Sequence, residues 1–185
     1  VVWDRRPLST AACCMQDPTR FSVYLCVNST PKREKPHRLN RDDYRGMIRC
    51  AFTICSVDRK PRFASRYMRQ LLLEILPEMS TKYACAVTIY VFMPDHIHVI
   101  LKGETPLADL YAFVVEMKKA LTNRTRSRQC EPDFYDHIIR DKRDLAHEIM
   151  YVLLNPVRAR LVDQWWQYDG TGSLCGSLDE IVRFT

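Results

Sequence analysis

Residues 84–93 and 96–102 are two runs rich in β-branched and aromatic side chains, with only Pro94-Asp95 between them. Such a pattern reads as strand, tight connection, strand. Strands joined that closely pair antiparallel, so this hairpin commits the chain to an antiparallel sheet with the hairpin near its centre. The flanking patterns extend it. Residues 47–56 carry Ile48, Phe52 and Ile54 in a β-rich context and read as a strand. Residues 65–79 place Met68, Leu71, Leu72 and Ile75 at helical spacing, with Ser65 as N-cap. Thr105-Pro106 opens a long helix whose buried stripe is Leu107, Leu110, Tyr111, Val114, Met117 and Leu121. A short strand at 134–140 precedes a helix from about residue 143 to 154. Asn155-Pro156 interrupts that helix, because the residue before a proline is pushed out of helical geometry. The order β-α-β-β-α-β-α is that of an α+β protein. The expected fold is a ferredoxin-like antiparallel sheet with helices packed on one face.

Composition excludes several classes. At 46% hydrophobic over 185 residues the chain can bury a core. The longest apolar run, around 83–93, is far shorter than the ~20 residues of a membrane helix, so no membrane partner is expected. The first residues carry Asp4, Arg5 and Arg6 and no apolar segment of signal-peptide kind, which points to a cytoplasmic protein. The eight cysteines form no CxxC pair and read as reduced thiols. The net charge of +6 permits a nucleic-acid partner without requiring one. Residues 1–43 hold Pro7, Pro18, Pro31 and Pro36 and read as a peripheral extension with one strand at 21–27. Its basic run at 32–38 suits a solvated linker or a nucleic-acid arm. Residues 44–185 form the working domain.

The candidate chemistry sits on two elements. In His96-Ile97-His98 a strand's period of two puts both imidazoles on one face and Ile97 on the other. Two imidazoles so spaced can share one divalent metal, although an HxH pair in an apolar strand is more often structural. Tyr151 and Asn155, four residues apart, project from one face of the last helix. A phenol beside a carboxamide suggests a nucleophile next to a metal ligand, the phenol needing a base or a metal to activate it. His147, one turn earlier, reads as packing or support. The cations Lys118, Lys119, Arg124, Arg126 and Arg128 at the end of the long helix fit either a phosphate-tracking surface or a solvated helix end.

The stretch Met93-Pro94-Asp95-His96-Ile97-His98-Val99-Ile100-Leu101 resembles the HUH motif of IS200/IS605-type transposases. Two later stretches, Phe134-Tyr135-Asp136-His137 and residues 151–162 beginning Tyr151-Val152-Leu153-Leu154-Asn155-Pro156, resemble the REP-associated tyrosine transposases. The resemblance covers about residues 47–166. It implies the HUH endonuclease fold and a metal-dependent single-strand DNA endonuclease and strand transferase. In that reading His96, His98 and Asn155 hold Mg²⁺ or Mn²⁺, and Tyr151 forms a 5′-phosphotyrosine link. Tyr135 is the rival nucleophile. The implied partner is single-stranded or hairpin DNA, bound by a monomer or a homodimer. The alternatives are a non-catalytic domesticated hairpin-binding protein and an HxH hydrolase of small substrates. Two departures stand out. Members of the family usually carry glycine where this chain has Arg160, and Trp165-Trp166-Gln167-Tyr168 matches their aromatic-Ser-Ser ending only loosely.

Overall fold

A computed structural model describes residues 40–183. The strand expected at 21–27 and the basic run at 32–38 lie outside the described residues. The chain order is β1 (Arg49–Cys55), α1 (Arg66–Tyr83), β2 (Cys85–Phe92), β3 (His96–Gly103), α2 (Leu110–Thr125), β4 (Tyr135–Ile139), α3 (Lys142–Leu153), α4 (Asn155–Arg158), β5 (Thr171–Gly172) and α5 (Leu178–Arg183). The five strands form one sheet in the order β4-β1-β3-β2-β5, each neighbouring pair antiparallel. The fold is α+β, as the hairpin implied. The hairpin itself is β2–β3, and its connection is Met93-Pro94-Asp95, with the Pro94 and Asp95 carbonyls accepting from the Phe63 and Ser56 N–H groups at 2.9 Å each.

Helices cover both faces, where one face was expected. On one side α1 and α2 bury Leu72, Ile75, Leu76, Phe113, Val114 and Met117 against Phe52, Ile54, Ile97, Val99 and Leu101 of the sheet. On the other, α3 brings Ile149, Val152 and Leu153 down on Ala51, Ile89, Val91 and Ile100, and α5 packs Leu178, Ile181 and Val182 beside them. The cause lies in the strands. β3 reads His96, His98, Ile100 on one face and Ile97, Val99, Leu101 on the other, so neither face can be left in water. β2 reaches both layers through a bulge. Its pairing with β3 skips a residue between Val87 and Ile89. Cys85 and Val87 therefore face α1 and α2, while Ile89 and Val91 face α3.

The expected helix at 105 begins later. Thr105–Ala108 is a turn closed by the Ala108 N–H on the Thr105 carbonyl at 3.1 Å, and Asp109 caps α2 by accepting from the Ala112 N–H at 2.8 Å. Pro106 thus sits in the turn, and Leu107 is 91% exposed instead of marking the buried stripe. Ser65 precedes α1 as expected, but its side chain makes no cap bond. The five described cysteines are free, and four of them are buried. Burial pushes the Cys85 thiol up to about 11 and Cys130 up to about 12, leaving them packing groups and not nucleophiles.

After α3 the chain stops at Leu154 and resumes as the short α4, with Pro156 in its first turn, where the missing N–H costs nothing. α4 ends in a paired reversal. The Arg160 N–H donates to the Val157 carbonyl and the Leu161 N–H to the Pro156 carbonyl, both at 2.9 Å. That geometry puts Arg160 in the left-handed region, φ 56°. The position where the resemblance leads one to expect glycine keeps the glycine conformation with an arginine in it. Arg160→Gly is expected to stabilise the fold by about 0.5–1 kcal/mol, since relief of the left-handed penalty exceeds the entropy glycine adds to the unfolded chain. A urea midpoint that rises with an unchanged slope checks this, and a fall contradicts it.

Candidate active site

β3 is the middle strand, and its register fixes what surrounds the histidines. His98 lies directly between Thr53 of β1 and Val91 of β2, and His96 lies opposite Cys55. His98 is 4% exposed. A polar ring so deeply buried must be hydrogen-bonded or it costs about 1–3 kcal/mol. Its Nδ1 meets the Thr53 hydroxyl at 2.9 Å. The Nδ1 of His96 meets the Asp95 carboxylate at 2.7 Å. Asp95 in turn lies 3.5 Å from the Arg59 guanidinium. The hydrogen bond from His96, aided by Arg59, holds the Asp95 carboxyl below its ordinary range.

These anchors turn the two Nε2 atoms toward each other, 3.1 Å apart, with the rings edge to face. With the protons on Nδ1, where both rings have an oxygen to receive them, two lone pairs converge on one region. Burial first, then neighbouring His96, pushes the His98 pKa down to about 3, against the opposing effect of a hydrogen bond the ring can donate to the Asn155 side chain. His98 is therefore a neutral donor at any ordinary pH. Two ligands at right angles, each about 2.1 Å from one ion, stand about 3.0 Å apart. The pair fits a shared divalent metal, and its Nδ1 partners are those that orient metal-bound imidazoles.

α3 brings the tyrosine. As an isolated helix of 12 residues it would be marginal, but the burial of Ile149, Val152 and Leu153 at roughly 1.5–3 kcal/mol each fixes it on the sheet. Tyr151 is thereby set edge-on to His98, ring centroids 5.9 Å apart, and stays 44% exposed. Its carbonyl, at the end of α3, accepts from Asn155 Nδ2 at 2.9 Å and from Arg158 Nη2 at 2.6 Å. The Arg158 guanidinium also covers the Tyr151 ring, 4.4 Å from its centroid. Positive charge thus stands beside the phenol.

The structure brings His96, His98, Tyr151 and Asn155 together. Tyr135 lies elsewhere, on edge strand β4 opposite Thr53, two strands and about 10 Å from His98. His147 is exposed and 3.9 Å from Glu148. The α2 cations are not brought to this face, because α2 packs on the opposite side of the sheet. Lys118 donates to the Pro132 carbonyl at 2.7 Å, Lys119 pairs with Glu116 at 2.6 Å, and Arg124 pairs with Glu74 and Glu78. Arg126 and Arg128 are exposed.

Thr53, Asp95 and Arg158 were not singled out as site residues from the sequence. Arg158 carried a signal, being seven residues, or two turns, beyond Tyr151. Thr53 carried none, since only the strand register reveals it. A separate group, His137, Asp144 and Glu148, brings its ligand atoms within 4.8 Å of one another between β4 and α3. Its His137 Nε2 lies 2.9 Å from an Asp144 carboxylate oxygen.

Residues 47–135 match the family model described as Transposase IS200 like, a span that holds the histidine pair and stops short of Tyr151. A putative REP-associated tyrosine transposase of Haemophilus influenzae is 24% identical over 135 residues, 63% of this chain and 76% of that protein. A REP-associated tyrosine transposase of Escherichia coli is 26% identical over 96 residues, 51% of this chain and 58% of that protein. Among solved structures, that of a REP-associated tyrosine transposase bound to a REP hairpin superposes with a TM-score of 0.65 at 23% identity, covering 73% of this chain and 80% of the other. Over residues 47–135 the chain is thus similar to the IS200-like transposases, and REP-associated tyrosine transposases are among the proteins it resembles.

Proposed function

We propose that this chain is a metal-dependent single-strand DNA endonuclease and strand transferase acting at hairpin-associated sites through Tyr151. The observation that carries the reading is the Tyr151 ring set against His98, one of two imidazoles whose Nε2 atoms converge at 3.1 Å. The solved relative bound to a REP hairpin supports hairpin DNA as the partner.

The residues divide the work as follows. His96 and His98, with Asn155 beside them, would hold Mg²⁺ or Mn²⁺. When bound, the ion supplies Lewis acidity to the scissile phosphate. Thr53 and Asp95 keep the imidazoles in the tautomer that presents Nε2. The Tyr151 oxygen attacks phosphorus and gives up its proton. The bond from phosphorus to the 3′-oxygen breaks, and that oxygen leaves as a hydroxyl after taking a proton. The 5′-phosphate remains on Tyr151 as a diester, so a second 3′-hydroxyl can reverse the step and join strands without ATP. Arg158 places its charge beside the attacking phenol as negative charge develops.

All of these groups come from one chain, so a monomer suffices. Residues 44–185 form the transposase domain and 1–43 its extension. The α2 cations Lys118, Lys119, Arg124, Arg126 and Arg128 have a lesser role in this reading. Any backbone contact they make is to DNA beyond the cleavage site, where contacts position without specifying.

Tyr151→Phe is expected to lower cleavage of a labelled hairpin oligonucleotide at least about a thousandfold in Mn²⁺ and to abolish the covalent adduct, with binding retained. Mass spectrometry of the wild-type adduct should place the DNA on Tyr151. Binding without any cleaved product from the wild-type protein would favour the non-catalytic hairpin binder. Thr53→Val is expected to weaken Mn²⁺ binding about 10- to 100-fold, read by electron paramagnetic titration of the free ion. Unchanged affinity would remove Thr53 from its orienting role.

A further inference from the structure

The sheet row that holds His98 runs across all five strands: Tyr135, Thr53, His98, Val91 and Thr171 are successive direct partners. Direct partners in antiparallel strands share a face, so Thr171 lies on the face of the histidines, two strands or about 10 Å away. There it lines a cleft of about 220 Å³ together with Trp165, Trp166, Tyr168, Leu178 and Asp179. That is the space of about seven waters, enough for one flat heterocycle.

We infer that this cleft takes one unstacked base of the DNA strand whose phosphate lies at the histidine pair, and prefers a base bearing an exocyclic amine over thymine. The inference rests on the cleavage reading for the choice of ligand, but its evidence lies in the cleft. Trp165 and Trp166 meet edge to face at 5.6 Å, and Trp166 is 64% exposed. Exposed aromatics are a common stacking platform for single-stranded nucleic acid. Among the described residues the buried Thr171 hydroxyl has no hydrogen-bond partner, which leaves an unmet polar group in the cleft wall. Asp179 adds a carboxylate, which repels phosphate and accepts from an amino group. The walls are fixed in advance. The Tyr168 hydroxyl donates to the Phe92 carbonyl at 2.8 Å, the Phe92 N–H donates to the Gly170 carbonyl at 2.8 Å, and Arg69 pairs with Asp169.

The test uses the full chain and a short oligothymidine carrying one 2-aminopurine, whose 2-amino group serves as the donor, in buffer without divalent metal. The wild-type protein and Tyr151→Phe should both quench the 2-aminopurine emission. They should also bind this oligonucleotide more tightly than plain oligothymidine. Trp166→Ala should lose the quench and bind about 5- to 150-fold more weakly, the range expected for one stacked base. Trp166→Phe should keep most of both. Thr171→Val should retain stacking and lose the preference over plain oligothymidine. An unquenched wild type, no binding at all, or a Trp166→Ala variant that binds and quenches normally overturns the inference. Quenching by a wild type that forms no phosphotyrosine adduct in Mg²⁺ sinks only the cleavage reading. An adduct formed at full rate by Trp166→Ala sinks only the cleft.

Discussion

The candidate site depends on β3 lying in the middle of the sheet with a strand bonded to each side. A central strand has no freedom to slide, because a shift of one residue would exchange its faces and bury His98 among the side chains under α1 and α2. Register alone therefore sets Thr53 against the His98 Nδ1 and turns Nε2 the other way. The buried imidazole is tolerated because its Nδ1 is hydrogen-bonded there, and its neutrality follows from the same burial. Position, tautomer and charge state of the His98 imidazole are consequences of one pairing pattern.

The tyrosine reaches this donor pair by a different route. α3 is held by its apolar stripe, and Tyr151 occupies the margin of that stripe, between buried residues and solvent. The break at Leu154 then brings the chain around so that Asn155 and Arg158 both return to the Tyr151 carbonyl. A continuous helix would satisfy that carbonyl with its own backbone and carry Arg158 past the ring. Asn155-Pro156 is thus a device for folding a cation back over the preceding turn.

Much of this was legible in the sequence, and the divisions are instructive. The hairpin, α1 and α3 followed from local periodicity, which records how each segment meets its own neighbours, whereas the pairing of HxH with Tyr151 and Asn155 came from the resemblance of their two motifs to a known family. The start of α2 did not, because Pro106 suits a helix entry and a turn equally well and only the Asp109 cap decides between them. Coverage of both sheet faces was missed for a related reason. The bulge at Thr88 reverses the faces of β2 halfway along, and a strict alternation of Val87, Ile89 and Val91 hides the reversal. The basic end of α2 was legible as charge but not as geometry: Glu74, Glu78 and Glu116, each harmless in the sequence, turn out to be the partners of Arg124 and Lys119.

The outer strands are much shorter than the inner ones. β5 has 2 residues and β4 has 5, against 8 each in β2 and β3. Beyond β5 the chain continues to sheathe β2, with the Leu174 N–H and the Cys175 thiol both donating to the Val87 carbonyl, at 3.1 and 3.2 Å. On the far side, β4 is flanked by the His137–Asp144 pair. Brief, sheathed or charged margins give another chain little to template on, so the described sheet resists self-association into fibres. A long hairpin at the centre can then carry the histidine pair without exposing a sticky edge.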